Sequence, residues 1–380
     1  MERSFLNEGK TAKPSLALEA IPGKERMIHH PSSSLELEMP VEFLKSWITP
    51  VPHFFVRNHL DEPSISPDAE WRLTVTGEVK QPSELSLGDL TGMEPHSITA
   101  VLECAGNGRA FYRPETPGTQ WQRGALGNAH FSGVRLRDLL LRAGLKATAK
   151  HVMFKGLEEA SSQTPAFIRS IPIEKALDED TLVAMHMNHA PLTKHHGFPA
   201  RAIVPGWIGA SWCKWLTEIK VLDKEFEGEF MRNAYRIPRQ PIPPGASISH
   251  ENTRALTELN TKSIIAGPVD GAVIKAGAIR IYGAAWTSDA AEITGVNVST
   301  DAGITWNTAE LEGDPVCYAW RLWSYTWKSA GPGDHIILSR ATDSRNGRQP
   351  EIAAWNPGGY LYNAVDQITI HVQTAAGGAR

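Results

Sequence analysis

The 380-residue sequence predicts an α+β domain followed by an immunoglobulin-like β-sandwich, on three observations. Residues 41–250 mix short strands such as "WRLTVTGEV" and "ARAIVPG" with helical stretches such as "VRLRDLLLRAGL". The segment "RIPRQPIPPGASISHENT" is proline-dense and short of large apolar residues, so it reads as a linker with a boundary near residue 250. Beyond it, across 251–380, "AIRIYGAAW", "ITGVNVSTDAGITW", "HIILSRATD" and "QITIHVQT" alternate apolar and polar residues between Gly/Asp turns, the pattern of such a sandwich.

Bulk properties narrow the function. With 41% hydrophobic residues the chain can fill two cores. A formal charge of -4 gives no global attraction to nucleic acid or to an anionic membrane, so neither is an expected partner and any anion site must be local. Cys104, Cys213 and Cys317 are too few and too scattered for a disulfide framework, and no Cys-x-x-Cys pair occurs. No apolar run has bilayer-spanning length and the N-terminus has no signal-peptide core. The chain is therefore expected to be cytoplasmic, or periplasmic if a leader peptide has been removed.

Taken in chain order, residues 1–40 are polar and Pro/Ser-punctuated, an arm or a strap laid over the surface. In "WITPVPHFFVRNHL" three polar residues, Arg57, Asn58 and His59, follow Phe-Phe-Val, either at a strand end meeting solvent or against a polar partner. In "SITAVLEC" alternation puts Ile98, Ala100, Leu102 and Cys104 on one face of a strand. The next residues turn bare and basic: Gly106 and Gly108 allow close backbone approach, and Arg109 and Arg113 offer planar donor forks. That positive charge is expected to lower the Cys104 pKa and favour a soft, nucleophilic thiolate. A buried structural cysteine followed by an ordinary turn fits the same residues.

Leu136, Leu139 and Leu140 share a helical face that Gly144 terminates. In "LVAMHMNHAPLTKHHGFPARAIVPGWIGASWCKWL" four histidines, His186, His189, His195 and His196, crowd beside Arg201 and Lys214. Pro191 and Gly197 break any zinc-binding His-x-x-x-His helix, leaving loop histidines that bond a cofactor or one another. The aromatics of "CYAWRLWSYTW" suit either an interface or a core.

Together "FFVRNHL", "LECAGNGR", "HGFPARAIVPG", "GASWCKWL", "STDAGITW" and "AWNPGGYL" occur in the order seen in the sulfite oxidase family of molybdenum enzymes, which the chain resembles from about Trp47 onward. The resemblance implies a molybdopterin domain followed by a dimerisation sandwich. It makes Cys104 the protein thiolate on molybdenum, sets Arg57, Arg109 and Trp121 around a sulfur oxyanion, and assigns the pterin and its phosphate to His59, His196, Arg201, Ser211 and Lys214. It further implies oxygen-atom transfer to sulfite or a similar small sulfur oxyanion and a homodimer. Some relatives carry a fused haem domain, but with no Cys-x-x-Cys-His site here and no room for a cytochrome domain before residue 40, no haem and a separate electron acceptor are expected. Two positions depart from the family: Met185 stands where a tyrosine is usual, and Gly358 where animal enzymes carry a substrate arginine. These departures keep a sulfoxide-type reductase of the same superfamily open, and outside it a cysteine-dependent hydrolase or a binding protein.

Overall fold

The computed structural model describes residues 21–32, 34–65, 70–288 and 291–374, so the expected arm is described only from residue 21. Strands dominate. The helices are short, Leu87–Thr91, Leu136–Ala143, Ile173–Ala176 and Glu229–Arg232 among the described residues, and the α+β expectation overstated them. The stretch "VRLRDLLLRAGL" shows why. Its first two residues finish the strand Leu126–Arg135, where Val134 is buried, and only then does the helix start at Leu136. Leu136, Leu139, Leu140 and Ala143 form its buried face, and Gly144 ends it at a φ of 69° that suits glycine.

Two sheets enclose the larger core. One joins Ala190–Pro191, Leu182–Met187, Leu126–Arg135 and His96–Glu103, with Arg201–Ile203 also paired to Leu182–Met187. The other runs Ser83–Ser86, Arg72–Gly77, Leu216–Leu222, His151–Gly156, Ile168–Pro172, with one parallel pair, Arg72–Gly77 beside Leu216–Leu222. The predicted face of His96–Glu103 is observed: Ile98, Ala100 and Leu102 enter the larger core, and Cys104 packs against it just past the strand end. The opposite face carries Val101 into a second cluster and turns Glu103 toward the C-terminal strands.

Residues 21–40 are a strap, not a free arm. Glu36–Glu38 is buried throughout and lies antiparallel between Ile28–His29 and Val56–Arg57. The proline-rich segment is pinned where Arg236–Pro238 pairs with Thr253–Ala255.

Past it, a four-stranded sheet (Lys262–Gly267, Gly277–Trp286, Arg321–Ala330, Glu310–Glu312) faces a five-stranded one (Val273–Lys275, Asp366–Gln373, Gly333–Asp343, Ile293–Ser299, Asn307–Thr308). Asp366–Gln373 alternates buried and exposed along its whole length, as a strand with one face on a core must. Ile281, Val296, Trp323, Ile337 and Ile370 fill that core. Trp320 and Trp323 are fully buried, so the central tryptophans of "CYAWRLWSYTW" are packing residues rather than interface aromatics. Burial of each is worth about 1.5–3 kcal/mol or more. Trp47 and Trp320 exchange indole hydrogen bonds to each other's carbonyls at 3.2 and 2.8 Å, tying the two halves together.

Candidate active site

The Cys104 loop is fixed from two directions. Its backbone is knitted by Cys104 N–H to Ala125 O, Asn107 N–H to Cys104 O and Arg109 N–H to Gly106 O, each at 2.9 Å. Gly108 adopts a φ of 91°, and a Cβ there would sit 2.8 Å from the Tyr362 side chain, so the sequence needs glycine for both reasons. From the C-terminal half, Lys262 Nζ reaches Glu103 Oε1 at 2.9 Å and Trp286 Nε1 donates to Glu103 Oε2 at 2.7 Å. Asn107 completes the network by donating to Glu103 Oε1 at 2.9 Å while its Oδ1 accepts from Ala125 N–H at 3.1 Å.

Cys104 lines a cavity that is partly open to solvent. Arg57, His59, His196, Arg201 and Lys214 line it too, so six of the expected site residues converge. Ser211 is not on the wall, though its neighbours Ala210 and Trp212 are; Arg109 and Trp121 stand back from it as well. Four lining residues carry a buried polar atom with no hydrogen-bond partner: Arg57 Nη1, His196 Nε2, Arg201 Nε and Glu158 Oε2. Such atoms are costly unless a ligand or water meets them.

Electrostatics agree. Burial lowers the Lys214 ammonium to about 7 against the pull of Glu62, and raises the Glu158 carboxyl to about 7. Burial also holds His59 and His196 well below the ordinary histidine range, assisted at His59 by Arg57 and Lys214 and at His196 by Lys24, Arg201 and Lys214. Burial brings Arg201 down to about 10. Lys214 Nζ donates to Asn58 Oδ1 and, at 3.1 Å, to His195 O; His59 stacks on Phe167 at 4.3 Å and shares a 2.6 Å hydrogen bond with the Tyr235 hydroxyl. A desolvated cation and several unpaired donors around one cavity suit a polar heterocycle bearing phosphate. No group of three metal-holding His, Cys, Asp or Glu side chains occurs among the described residues. A metal at the Cys104 thiol would thus take its other ligands from a bound group.

The thiolate expectation is corrected. Burial pushes the Cys104 thiol up, and the opposing Arg57 charge, Gly106 N–H and Arg109 charge do not overcome it, while Glu36 adds to the rise. The basic residues are also less free than the sequence suggests. Arg57 Nη1 lies 2.9 Å from Glu36 Oε1, close enough to pair though off the hydrogen-bond axis. Arg109 donates Nε to Gly358 O at 3.1 Å and Nη1 to Thr119 O at 2.9 Å. Trp121 is fully buried, edge-on to His30 at 4.7 Å, with its Nε1 unpaired. Arg123 is engaged with Asp366 at 2.7 Å, and Arg113 with backbone carbonyls of Ala110 and Tyr112.

Met185 lies in the larger apolar core, without a phenol to offer. Gly358 packs so closely that a Cβ would come within 2.2 Å of the Tyr360 ring.

Sequence reasoning missed Glu36, Glu38, Glu158 and Tyr235. Glu38 is buried and accepts from Gln122 N–H and Gly124 N–H, the latter at 2.7 Å, and pairs with His30 at 2.7 Å. The alternation of "LELEM" signals a strand but suggests that its glutamates face water. They are covered instead because the strap is sandwiched between two partners.

A half-buried thiol on a glycine turn, opening onto a cavity of desolvated cations and unpaired donors, suits an oxidoreductase domain of the molybdopterin-binding kind, and residues 59–230 match the family "Oxidoreductase molybdopterin binding domain". Residues 253–373 match the "Mo-co oxidoreductase dimerisation domain". The chain belongs to the sulfite oxidase family of molybdenum oxidoreductases. It is 35% identical to mitochondrial sulfite oxidase of Mus musculus over 97% of this chain and 70% of that one. It is 28% identical to sulfite oxidase of Arabidopsis thaliana over 90% and 95%. It spans about two thirds of the length of the mammalian relatives it matches. The sulfane dehydrogenase SoxCD from Paracoccus pantotrophus superposes with a TM-score of 0.80 at 27% identity, covering 98% of this chain and 96% of that one.

Proposed function

We propose that the chain oxidises sulfite or a related small sulfur compound, adding one water-derived oxygen to sulfur and releasing two protons and two electrons to a separate one-electron acceptor. The observation that carries this reading is the convergence of Cys104 with Arg57, His59, His196, Arg201 and Lys214 on one cavity. Molybdenum held by one molybdopterin would supply the two-electron oxygen-transfer chemistry there, with Cys104 as its soft protein ligand.

The protein's own part is binding and charge. Arg201, Lys214, His59 and His196 would hold the pterin and its phosphate, with Ser211 behind the wall between Ala210 and Trp212. Lys214, near half-charged at neutral pH in the ligand-free protein, becomes fully charged against the phosphate. Cationic neighbours help Cys104 to surrender its proton when it becomes a ligand. Arg57 faces the reacting sulfur compound from the cavity wall, and Arg109 and Trp121 back that wall. Arg109 is held rigid by Gly358 O and Thr119 O, so its fork is oriented before substrate arrives.

In this reading residues 41–250 form the catalytic unit and 251–380, with an immunoglobulin-like fold, the dimerisation unit of a homodimer. The chain carries no haem and works in the cytoplasm. No described helix is long and apolar enough to cross a membrane.

Purified protein assayed with sulfite and ferricyanide tests the reaction; molybdenum-loaded protein that oxidises no sulfur compound contradicts it. A haem Soret band would overturn the separate-acceptor assignment. Light scattering at the single-chain mass of 41.7 kDa would overturn the dimer. Cell fractionation checks the compartment.

A further inference from the structure

Glu36 is a buried carboxylate that the reaction does not call for; it pairs with one of the arginines assigned to the oxyanion and reaches the other through Thr119. Its side chain is 2% exposed. One oxygen pairs with Arg57 Nη1 at 2.9 Å; the other accepts from Thr119 Oγ1 at 2.6 Å. The Thr119 carbonyl in turn accepts from Arg109 Nη1 at 2.9 Å, so one threonine bridges the carboxylate to the second guanidinium. Backbone register fixes the arrangement, because Glu36 and Arg57 are direct partners in adjacent antiparallel strands.

We propose that Glu36 sets substrate charge: by holding Arg57 in an internal ion pair it disfavours a dianion such as sulfite and favours a sulfur compound with at most one negative charge at its reacting end, such as a persulfide. The inference rests on the oxidation reading above. Charge balance among the arginines assigned to the oxyanion supports it. Arg57 and Glu36 cancel, Gly358 adds no cation, and Arg109, set back from the cavity wall, is the one of these guanidinium groups without a carboxylate against it, while Lys214 and Arg201 on the wall are assigned to the pterin phosphate. A monoanion matches that single charge, whereas a dianion meets a fixed carboxylate. Each two-electron turnover would add one water-derived oxygen to the terminal sulfur and pass two electrons to the separate acceptor, releasing two protons.

The test compares molybdenum-loaded wild type with Glu36→Gln, which keeps shape and can still meet Thr119 and Arg57 without charge. Binding of inorganic sulfate, measured by calorimetry, is expected to tighten about ten- to a hundredfold, the range for one charge-assisted hydrogen bond to an anion. The sulfite KM should fall by a similar factor, and that of cysteine persulfide should not. Unchanged sulfate binding and unchanged sulfite KM in the folded variant overturn the role of Glu36 while leaving sulfur oxidation intact. Loss of the wider reading looks different: neither protein oxidises sulfite or persulfide. If Glu36→Gln does not fold, wild type decides, since kcat/KM under alkaline conditions must be higher for persulfide than for sulfite, and the reverse order overturns the inference.

Discussion

Two polar networks meet at the Cys104 loop, and they are built oppositely. The junction network of Glu103, Asn107, Lys262 and Trp286 is closed: both Glu103 oxygens are met, and Lys262 also reaches Asn107 O at 3.3 Å. The cavity network of His196, Arg201 and Glu158 is open, each residue keeping a buried atom without a partner. Closed networks fix a structure, whereas open ones cost stability until something fills them. The contrast teaches where a ligand belongs without reference to any relative.

Breaking the element shared by both networks has the largest expected effect. Cys104→Ser exchanges a soft ligand for a hard, poorly ionised one, and sulfur oxidation should fall by orders of magnitude while the fold, read by circular dichroism, persists. A fully active serine variant would remove Cys104 from the metal. Next comes the closed network. Lys262→Met leaves the Glu103 carboxylate, about 5% exposed, without its counter-charge, and denaturant unfolding should report a loss of about 3–5 kcal/mol. An unaltered midpoint would mean that the network is relaxed in solution.

The open network should respond in the other sense. Arg201→Met ought to weaken cofactor retention by about 2–5 kcal/mol, measured by released pterin fluorescence, while costing the cofactor-free protein far less than Lys262→Met does. Equal losses of stability from the two variants would erase the distinction.

The smallest effect is in pH. His59 and His196 have folded pKa values below the unfolded 6.5, so the unfolded chain binds more protons and stability falls as pH drops through 6.5. Glu158, raised from 4.5 to about 7, opposes them between those values by binding a proton in the folded state. His53, His130 and His151, also lowered by burial, act in the same sense as His59 and His196, so stability falls as pH drops from 6.5 to 5. Thermal melts of cofactor-free protein from pH 6.5 to 5 should show this fall, and Glu158→Gln should steepen it by removing the opposing proton. A flat profile in both would place the histidines in solvent.

Legibility in the sequence followed the range of the interaction. The alternation of Ile98, Ala100 and Leu102 and the Leu136, Leu139, Leu140 face are local, and both were readable. The Cys104 turn was readable because Gly106, Gly108 and Arg109 are adjacent, yet the thiol's pKa was not, since desolvation depends on what the fold packs over it. Glu36 and Glu38 reach Thr119, Gln122 and Gly124 more than 80 residues away, and nothing local to "LELEM" announces those partners. Gly358 shows the hazard of reading one position alone. By sequence, Gly358→Arg restores a family cation and tightens sulfite. In the fold its Cβ would come within 2.2 Å of the Tyr360 ring, and the Gly358 carbonyl already serves Arg109. The Tyr360 ring, stacked on Tyr235 at 5.3 Å, would have to move.

The central claim, that the cavity beside Cys104 holds molybdenum on a pterin, is tested most directly by elemental analysis of wild type and Cys104→Ser purified from cells that make the cofactor. One molybdenum per wild-type chain, accompanied by pterin and by a metal–sulfur shell in X-ray absorption that loses one sulfur in the serine variant, is the predicted result. Wild-type protein free of molybdenum, or a sulfur shell identical in both proteins, would contradict it.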